Sequence, residues 1–474
     1  MFFLILAPLA LAAVAFADPS QQRRPVALLI GGFLHLGCLA VLWISPPAPA
    51  LGGWLELDAL AKVVLATASV LFAICAVYAQ GYLRHRAERD NRIFVGGLLV
   101  LLSAMTVVAL SQHLGLLWVA IEITTLSTAP LIYFNKTARS LEAAWKYLLV
   151  CSLGIALALL GTFFLALAGA GEGGPRSLLV SDLVRAGRHL SSPWVRAAFV
   201  LLLVGYGTKM GLAPLHSWKP DAYGEAPGIL GALLSGGVTS LAFVALARVV
   251  QVCTAAGEGP FARDALVGMG LLSMALASVF MVGQRDFKRM LAYSSVEHMG
   301  ILALGLGLGG AAASGAMFHT VNNALTKGVL FLAAGNIHRA YGSKRVDDVR
   351  GAARRLPLSG PLFLVGFLAV TGSPPFGPFF SEFSILNGAL GTGRFVVGAL
   401  FLLFLSVIFV GMGATVLKVV QGDPTGAPDE PNYRDTWLSA APPLVLMGLV
   451  LVLGLYLPAG LRSLFDAAAA RVGS

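Results

Sequence analysis

The sequence predicts an all-α polytopic membrane protein of about fourteen transmembrane helices, built as two inverted five-helix repeats with two broken helices. Three observations carry that expectation. Of the 474 residues, 57% are hydrophobic and only 12% are charged, against roughly 25% charged in a soluble domain. Apolar runs of about 20 residues, the length that crosses a bilayer as a helix, recur along the whole chain. The few charges inside those runs are spaced alike in two stretches: Glu122 to Lys209 is 87 residues, and Glu297 to Glu382 is 85. This composition excludes an ordinary cytosolic enzyme, a disordered chain and a nucleic-acid binder.

The runs lie in order along the chain. The segment 1–92 holds three, near 2–17, 26–44 and 57–80. The first ends in Ala15-Phe16-Ala17, which imitates a signal-peptidase site, but no Lys or Arg precedes it, so a retained helix is expected. Lys62 opens the third and can snorkel to the interface. Helices four to eight fill 93–251, near 93–110, 114–134, 142–168, 194–216 and 227–251. The sixth begins with Glu142 and Lys146, an i, i+4 pair suited to an ordinary ion pair or a part in conduction. Helices nine to thirteen fill 264–420, near 265–282, 293–309, 312–337, 358–389 and 394–420. A last helix near 436–459 and a short tail complete 436–474. Each stretch of five is odd in number, so the two would enter the membrane in opposite directions.

The connections explain the net charge of +10. Of 33 Lys and Arg, 20 fall in odd-numbered connections, among them the cluster from Arg84 to Arg92 and Lys219. Nine fall in even-numbered connections or the tail, Arg176 among them, and four inside helices. Positive residues mark the cytoplasmic side, so the odd connections are read as cytoplasmic and both termini as outside. The basic excess is therefore topological rather than a nucleic-acid surface. The connection 169–193 turns amphipathic around Leu178 to Leu190 and suits the membrane surface. The basic loop from His338 to Pro357 suits lipid head groups or a cytoplasmic partner.

Cys38, Cys75, Cys151 and Cys253 stand far apart, and the eight histidines show no HExxH and no i, i+4 pair. No spacing matches a zinc, iron–sulfur or redox motif. The glycines from Gly305 to Gly310 end a membrane segment rather than forming a nucleotide loop. No metal or cofactor is expected in this chain.

An ionisable group at mid-bilayer costs on the order of 2.5–3.5 kcal/mol, so each needs a reason. Glu122, Lys209, Lys327 and Glu382 all sit in apolar surroundings. Proline breaks accompany two of them: Lys209-Met210-Gly211-Leu212-Ala213-Pro214, followed by His216, and the stretch from Thr371 through Pro374 and Pro375 to Pro378. Interrupted backbone in a membrane survives where it is buried or lines a cavity, and paired breaks in two halves point to a transport site. His319 lies eight residues before Lys327 on much the same helix face, and His298 follows Glu297 at the start of the tenth helix. Burial and a neighbouring carboxylate act in opposite directions on a lysine's proton affinity. A Glu122–Lys209 pair could thus switch Lys209 between proton-bound and proton-free.

At these residues the sequence resembles a known family. GLAPLHSWKPDAYGEAPG, DFKRMLAYSSVEHMGI and TKGVLFLAAGNIH look like signatures of the antiporter-like subunits of respiratory complex I, Mrp cation/proton antiporters and membrane-bound NiFe hydrogenases. IEITTLSTAPLI, LEAAWKYLLVCSLGIALALLGT and SSVEHMG most resemble the hydrogenase-four F-type subunit. The resemblance runs from about Phe94 to Val420. It implies fourteen helices, broken seventh and twelfth helices, and a charged axis onto which Glu122, Lys209, Lys327 and Glu382 map. It also implies departures: Ser240 stands about where many members carry a lysine or histidine, Asn323 replaces a histidine, and Lys219 and Tyr223 replace a leucine and a histidine. The relay between halves would be thin there, bridged by water.

The leading expectation is a proton-translocating, itself non-catalytic membrane subunit of a multi-subunit oxidoreductase complex of hydrogenase or NADH dehydrogenase type. It would sit in the cytoplasmic (inner) membrane of a bacterium or archaeon. Its partners would be other membrane subunits, peripheral redox subunits on the cytoplasmic side and the lipid bilayer. Iron–sulfur, NiFe or flavin sites would belong to those partners. The alternatives are a subunit of an Mrp-type cation/proton antiporter without redox chemistry, and a structural membrane anchor.

Overall fold

The computed structural model describes residues 1–171, 174–175, 177–424 and 433–473; Arg176, counted among the basic residues above, lies outside them. The N-terminal helices are α1 (Phe2–Ala17), α2 (Arg24–Ile44) and α3 (Ala59–Arg84). Next come α4 (Arg92–Leu110), α5 (Leu114–Ile132), α6 (Ala138–Ala168) and the short α7 (Val180–Arg185). A broken segment follows as α8 (Ser192–Met210) and α9 (Trp218–Glu225), then α10 (Gly228–Leu233) and α11 (Thr239–Ala255), joined through a π turn. Further along lie α12 (Gly259–Met281), α13 (Phe287–Leu308), α14 (Gly310–Tyr341) and the short α15 (Ala352–Arg355). A second broken segment, α16 (Ser359–Val370) and α17 (Gly377–Gly391), precedes α18 (Phe395–Val420), α19 (Trp437–Leu455) and α20 (Ala459–Gly473). Among the described residues ten helices are long and apolar enough to cross a membrane, and β structure is confined to isolated bridges.

Helix is the natural answer for such runs, since backbone polar groups in hydrocarbon must be satisfied within the segment. Starts are set by polar side chains. Thr137 and Ser140 form a reciprocal capping box for α6, Thr436 and Ser439 do so for α19, and Asp286 accepts from the Lys288 and Arg289 amides at α13. The α13 start moves one expectation. The helix begins at Phe287, not near 293, so His298 lies in its middle rather than at its start. Polar Lys288 and Arg289 conceal that first turn and a half.

Burial grades from the centre outward. The stretch 228–250 is buried throughout, and α14 packs against α3, α10, α13, α16, α17, α19 and α20. The outer helices α2, α18 and α19 expose Val41, Val396, Val410 and Leu455, apolar surface suited to lipid. At the π turn, Gly236 lets the backbone approach Ala324 of α14, where a β-carbon would crowd the Ala324 carbonyl. The first helix belongs to this packing: Leu4, Ala12 and Ala15 are buried, and Ser103 donates to the Ile5 carbonyl at 2.8 Å.

Asp58 ties the chain's ends together. One carboxylate oxygen caps α3 by accepting from the Ala61 amide at 2.7 Å. The other accepts from Arg248 of α11 at 3.1 Å, Gln112 at 3.1 Å and Arg471 of α20 at 3.0 Å. Burial pushes the Asp58 carboxyl upward, but the Arg248 guanidinium, the Ala61 amide, Gln112 and Arg471 outweigh it and hold it below its ordinary value. A carboxyl depressed in the folded state contributes stability that is present above its unfolded pKa and lost as pH falls through the folded one. Melting temperature in detergent should therefore be level near neutrality and drop on acidification below about pH 4. Asp58→Asn should cost about 3–5 kcal/mol by leaving Arg248 buried without its counter-charge, and should flatten that acid limb. An Asp58→Asn protein that melts like the parent at pH 7 would refute this account.

Candidate functional site

Two chain breaks set the site. After α8 the backbone turns through Gly211 at φ +80°, and after α16 through Gly372 at φ +67°. Pro214 follows the first turn, Pro374 and Pro375 the second, and each break contains a cis X–Pro peptide. Proline lacks the N–H that a continuing helix would use. Freed groups find partners elsewhere: the Ala213 amide donates to Ser273 Oγ at 2.9 Å, and Trp218 Nε1 donates to the Thr208 carbonyl at 2.9 Å. His216 is buried in the first break against the edge of the Tyr293 ring. Each left-handed glycine also clears space for a charge. A β-carbon on Gly211 would overlap the Lys219 side chain, and one on Gly372 would overlap the Glu382 carboxylate.

In the first half, half-buried Glu122 on α5 accepts from Ser152 on α6 at 2.9 Å. Fully buried Lys209 donates to Thr125 Oγ1 at 2.8 Å and to the Tyr147 hydroxyl at 2.7 Å. Thr128 bonds the same Tyr147 hydroxyl at 2.7 Å. Glu122 and Lys209 are thus not in direct contact, and hydroxyls hold the lysine. Thr125 and Tyr147 stand between α5 and α6 where the ammonium arrives, while the Glu122 carboxylate is engaged by Ser152. Glu142 and Lys146 form an i, i+4 ion pair at 2.6 Å, with Asp221 also 3.1 Å from Lys146. They line a charged cleft of about 430 Å³ with Asp221, Glu225, Arg289 and Lys344, separate from the buried residues.

Between the halves the structure corrects the reading of Lys219. It is not a loop residue: it is fully buried in the first turn of α9 and donates to Ser295 Oγ at 3.1 Å. Its neighbour Ser294 accepts from Lys327 of α14 at 2.5 Å and donates to Glu297 at 3.4 Å. On the other side, the Trp218 ring lies tilted, 5.0 Å from the Tyr147 ring that Lys209 meets. Lys219 therefore occupies the stretch expected to be empty, while Ser240 turns its hydroxyl onto the Gly236 carbonyl of its own helix. Lys288, also counted with the connections, is buried at the start of α13 and donates to the Ala226 carbonyl. Lys219 lay within HSWKPDAYGE, whose polarity imitates a loop; its signal was the departure from the family motif. Tyr147, Ser294 and Ser295 carried no signal of their own.

At the far end, buried His298 and His319 face one another with Nδ1 and Nε2 2.9 Å apart. His319 Nδ1 lies 3.0 Å from Ser381 Oγ, which also accepts from Asn322 at 3.3 Å. His319 and Lys327 both reach α13, as two residues on one helix face should. Glu382 is buried beside the histidines, and one ligand atom from each of His298, His319 and Glu382 lies within 4.8 Å of the others. Buried polar atoms with no hydrogen-bond partner among the described residues recur along this line: Glu122 Oε2, the Tyr223 hydroxyl, Glu297 Oε1, His298 Nε2, both Asn323 side-chain atoms and Glu382 Oε1.

Comparison with known proteins follows the same outline. The family model described as NADH:quinone oxidoreductase/Mrp antiporter, TM, matches residues 111–409. The chain is 34% identical to the hydrogenase-4 component F homolog of Methylacidiphilum infernorum (isolate V4), over 89% of each chain. Its fold resembles a chain of the membrane-bound sulfane sulfur reductase, an archaeal respiratory membrane complex, with a TM-score of 0.88 at 24% identity, covering 99% of this chain and 97% of the other. A chain of respiratory complex I from Thermus thermophilus gives 0.79 at 28% identity and 96% of each chain.

The glycines offer a direct test of the breaks. Alanine at a left-handed position costs roughly 1–2 kcal/mol, and the added methyl must also displace Lys219 or Glu382. Gly211→Ala and Gly372→Ala should each lower the melting temperature in detergent. Gly268→Ala, whose β-carbon meets nothing within 4 Å, should not. Equal melting of Gly211→Ala and Gly268→Ala would contradict the packing described.

Proposed function

This chain belongs to the NADH:quinone oxidoreductase/Mrp antiporter transmembrane family, and on that premise we propose that it is the proton-translocating, antiporter-like membrane subunit of a multi-subunit redox complex. The observation that carries this reading is the row of buried lysines, Lys209, Lys219 and Lys327, each held by neutral hydroxyls and flanked by Glu122 and Glu382. A hydroxyl is both donor and acceptor, so Tyr147, Thr125, Ser295 and Ser294 can bond either an ammonium or a neutral amine. Each lysine can then load and release a proton without losing its partner. Internal water is the ordinary partner of buried polar atoms, and at Tyr223, Asn323 and Glu297 it would connect the lysines. Protons would pass from the Glu122 end through Lys209, Lys219 and Lys327 to the His319–His298 pair and Glu382. A proton on one lysine repels a proton from the next, which couples successive steps.

The finer architecture goes with this reading. Counting each broken segment once gives fourteen spans, with five-helix repeats that place one break in each half. The bias of basic residues supports a topology with both termini outside and the Lys146–Asp221–Arg289 cleft on the cytoplasmic side, and the membrane would be the inner membrane of a bacterium or archaeon. Electron transfer would reside in partner subunits, which would carry the iron–sulfur, NiFe or flavin groups.

Lys209→Ala, introduced into the assembled membrane complex, should leave subunit co-purification unchanged and reduce proton translocation by about 100-fold, the scale of a lost acid–base group. Translocation at the parent rate would end the proposal. Cation/proton exchange by a preparation that contains no redox subunit would support the Mrp-type alternative.

A further inference from the structure

The meeting of His298, His319 and Glu382 has chemistry beyond proton passage. Two imidazoles and a carboxylate, drawn from α13, α14 and α17, place ligand atoms within 4.8 Å of one another. Donors on a tetrahedral zinc, at about 2.0–2.2 Å from the metal, stand roughly 3.3 Å apart. The histidine nitrogens at 2.9 Å need to separate by only a few tenths of an ångström. Glu382 must swing inward, and its carboxylate is free to turn: Oε1 has no protein partner among the described residues, while Oε2 rests against Gly372 in the space a β-carbon would fill. Ser381 at 3.0 Å from His319 Nδ1 is the kind of partner that orients a ligating imidazole, leaving Nε2 to bind. A cleft of about 520 Å³ lined by Gly315, Phe318, Ser384, Arg462 and Asp466 lies along α14 and α17, with Gly315 one turn from His319. The four cysteines are elsewhere, so the donor set is nitrogen and oxygen only.

We propose that His298, His319 and Glu382 form a binding site for one borderline divalent cation of the zinc class. The ligand set is two histidines and one carboxylate, with a fourth position for water. A cation there occupies the lone pairs through which the histidine pair would hand on a proton, so zinc should block the path. That consequence rests on the proton-relay reading above; the binding itself does not.

The test uses the full chain in detergent, with Zn²⁺ alone measured by competition against a chromophoric chelator and Co²⁺ as an optical probe. One saturable equivalent is expected, with visible bands of a tetrahedral nitrogen/oxygen site and no thiolate charge transfer. His319→Gln and Glu382→Gln should each weaken it at least about tenfold, and Ser381→Ala by a similar factor through the lost orienting bond. The parent's Co²⁺ spectrum stands even where a variant fails to fold. Absence of a saturable equivalent in the parent, a thiolate signature, or unchanged affinity in both ligand variants overturns the site. Binding of one equivalent by this ligand set with translocation by the complex unaffected upholds the site and counts against the relay. Failure to bind while Lys209→Ala still abolishes translocation removes the site alone.

Discussion

A cation in hydrocarbon must find a polar partner, and the choice of partner governs much of this molecule. Lys209, Lys219, Lys288 and Lys327 are fully enclosed or nearly so, and none has a carboxylate oxygen within 4.0 Å among the described residues. Hydroxyls or a backbone carbonyl hold them instead. A buried ion pair gains Coulomb energy but fixes both charges, and breaking it is costly. Asp58 and Arg248 show that this chain can build such a pair where two helices need fastening. Along the interior line it uses hydroxyls, which serve either protonation state.

Holding long cations this way demands space at set depths, and the breaks supply it. A side chain at the turn would overlap Lys219 in the first break and Glu382 in the second. Interrupting α8 and α16 lets a left-handed glycine lie against each charge, and at the first break Ser273 and Trp218 take up the Ala213 amide and the Thr208 carbonyl. The central helices α13 and α14 then meet closely enough for Ser294 to reach Lys327 and for His298 to reach His319.

Much of this was legible in the sequence because charge is scarce there. Glu122, Lys209, Lys327 and Glu382 stood out against apolar neighbours, and the prolines marked both breaks. Lys219 was not legible, since Trp218, Pro220 and Asp221 give its surroundings the polarity of a loop, although the fold turns that lysine inward. How Lys209 is held was not legible either: Thr125 and Tyr147 are unremarkable in the sequence and meet the ammonium only once α5 and α6 pack. The His298–His319–Glu382 meeting joins three helices and is a product of tertiary packing alone.

The short α9 has a mechanical meaning. It carries Lys219 at its buried end and Asp221 and Glu225 at the charged cleft, where they bond Arg289 and Lys344. Eight residues of helix form one stiff strut. A displacement of that strut would carry the Lys219 ammonium and the surface ion pairs together, so the cleft is mechanically linked to the middle lysine of the row.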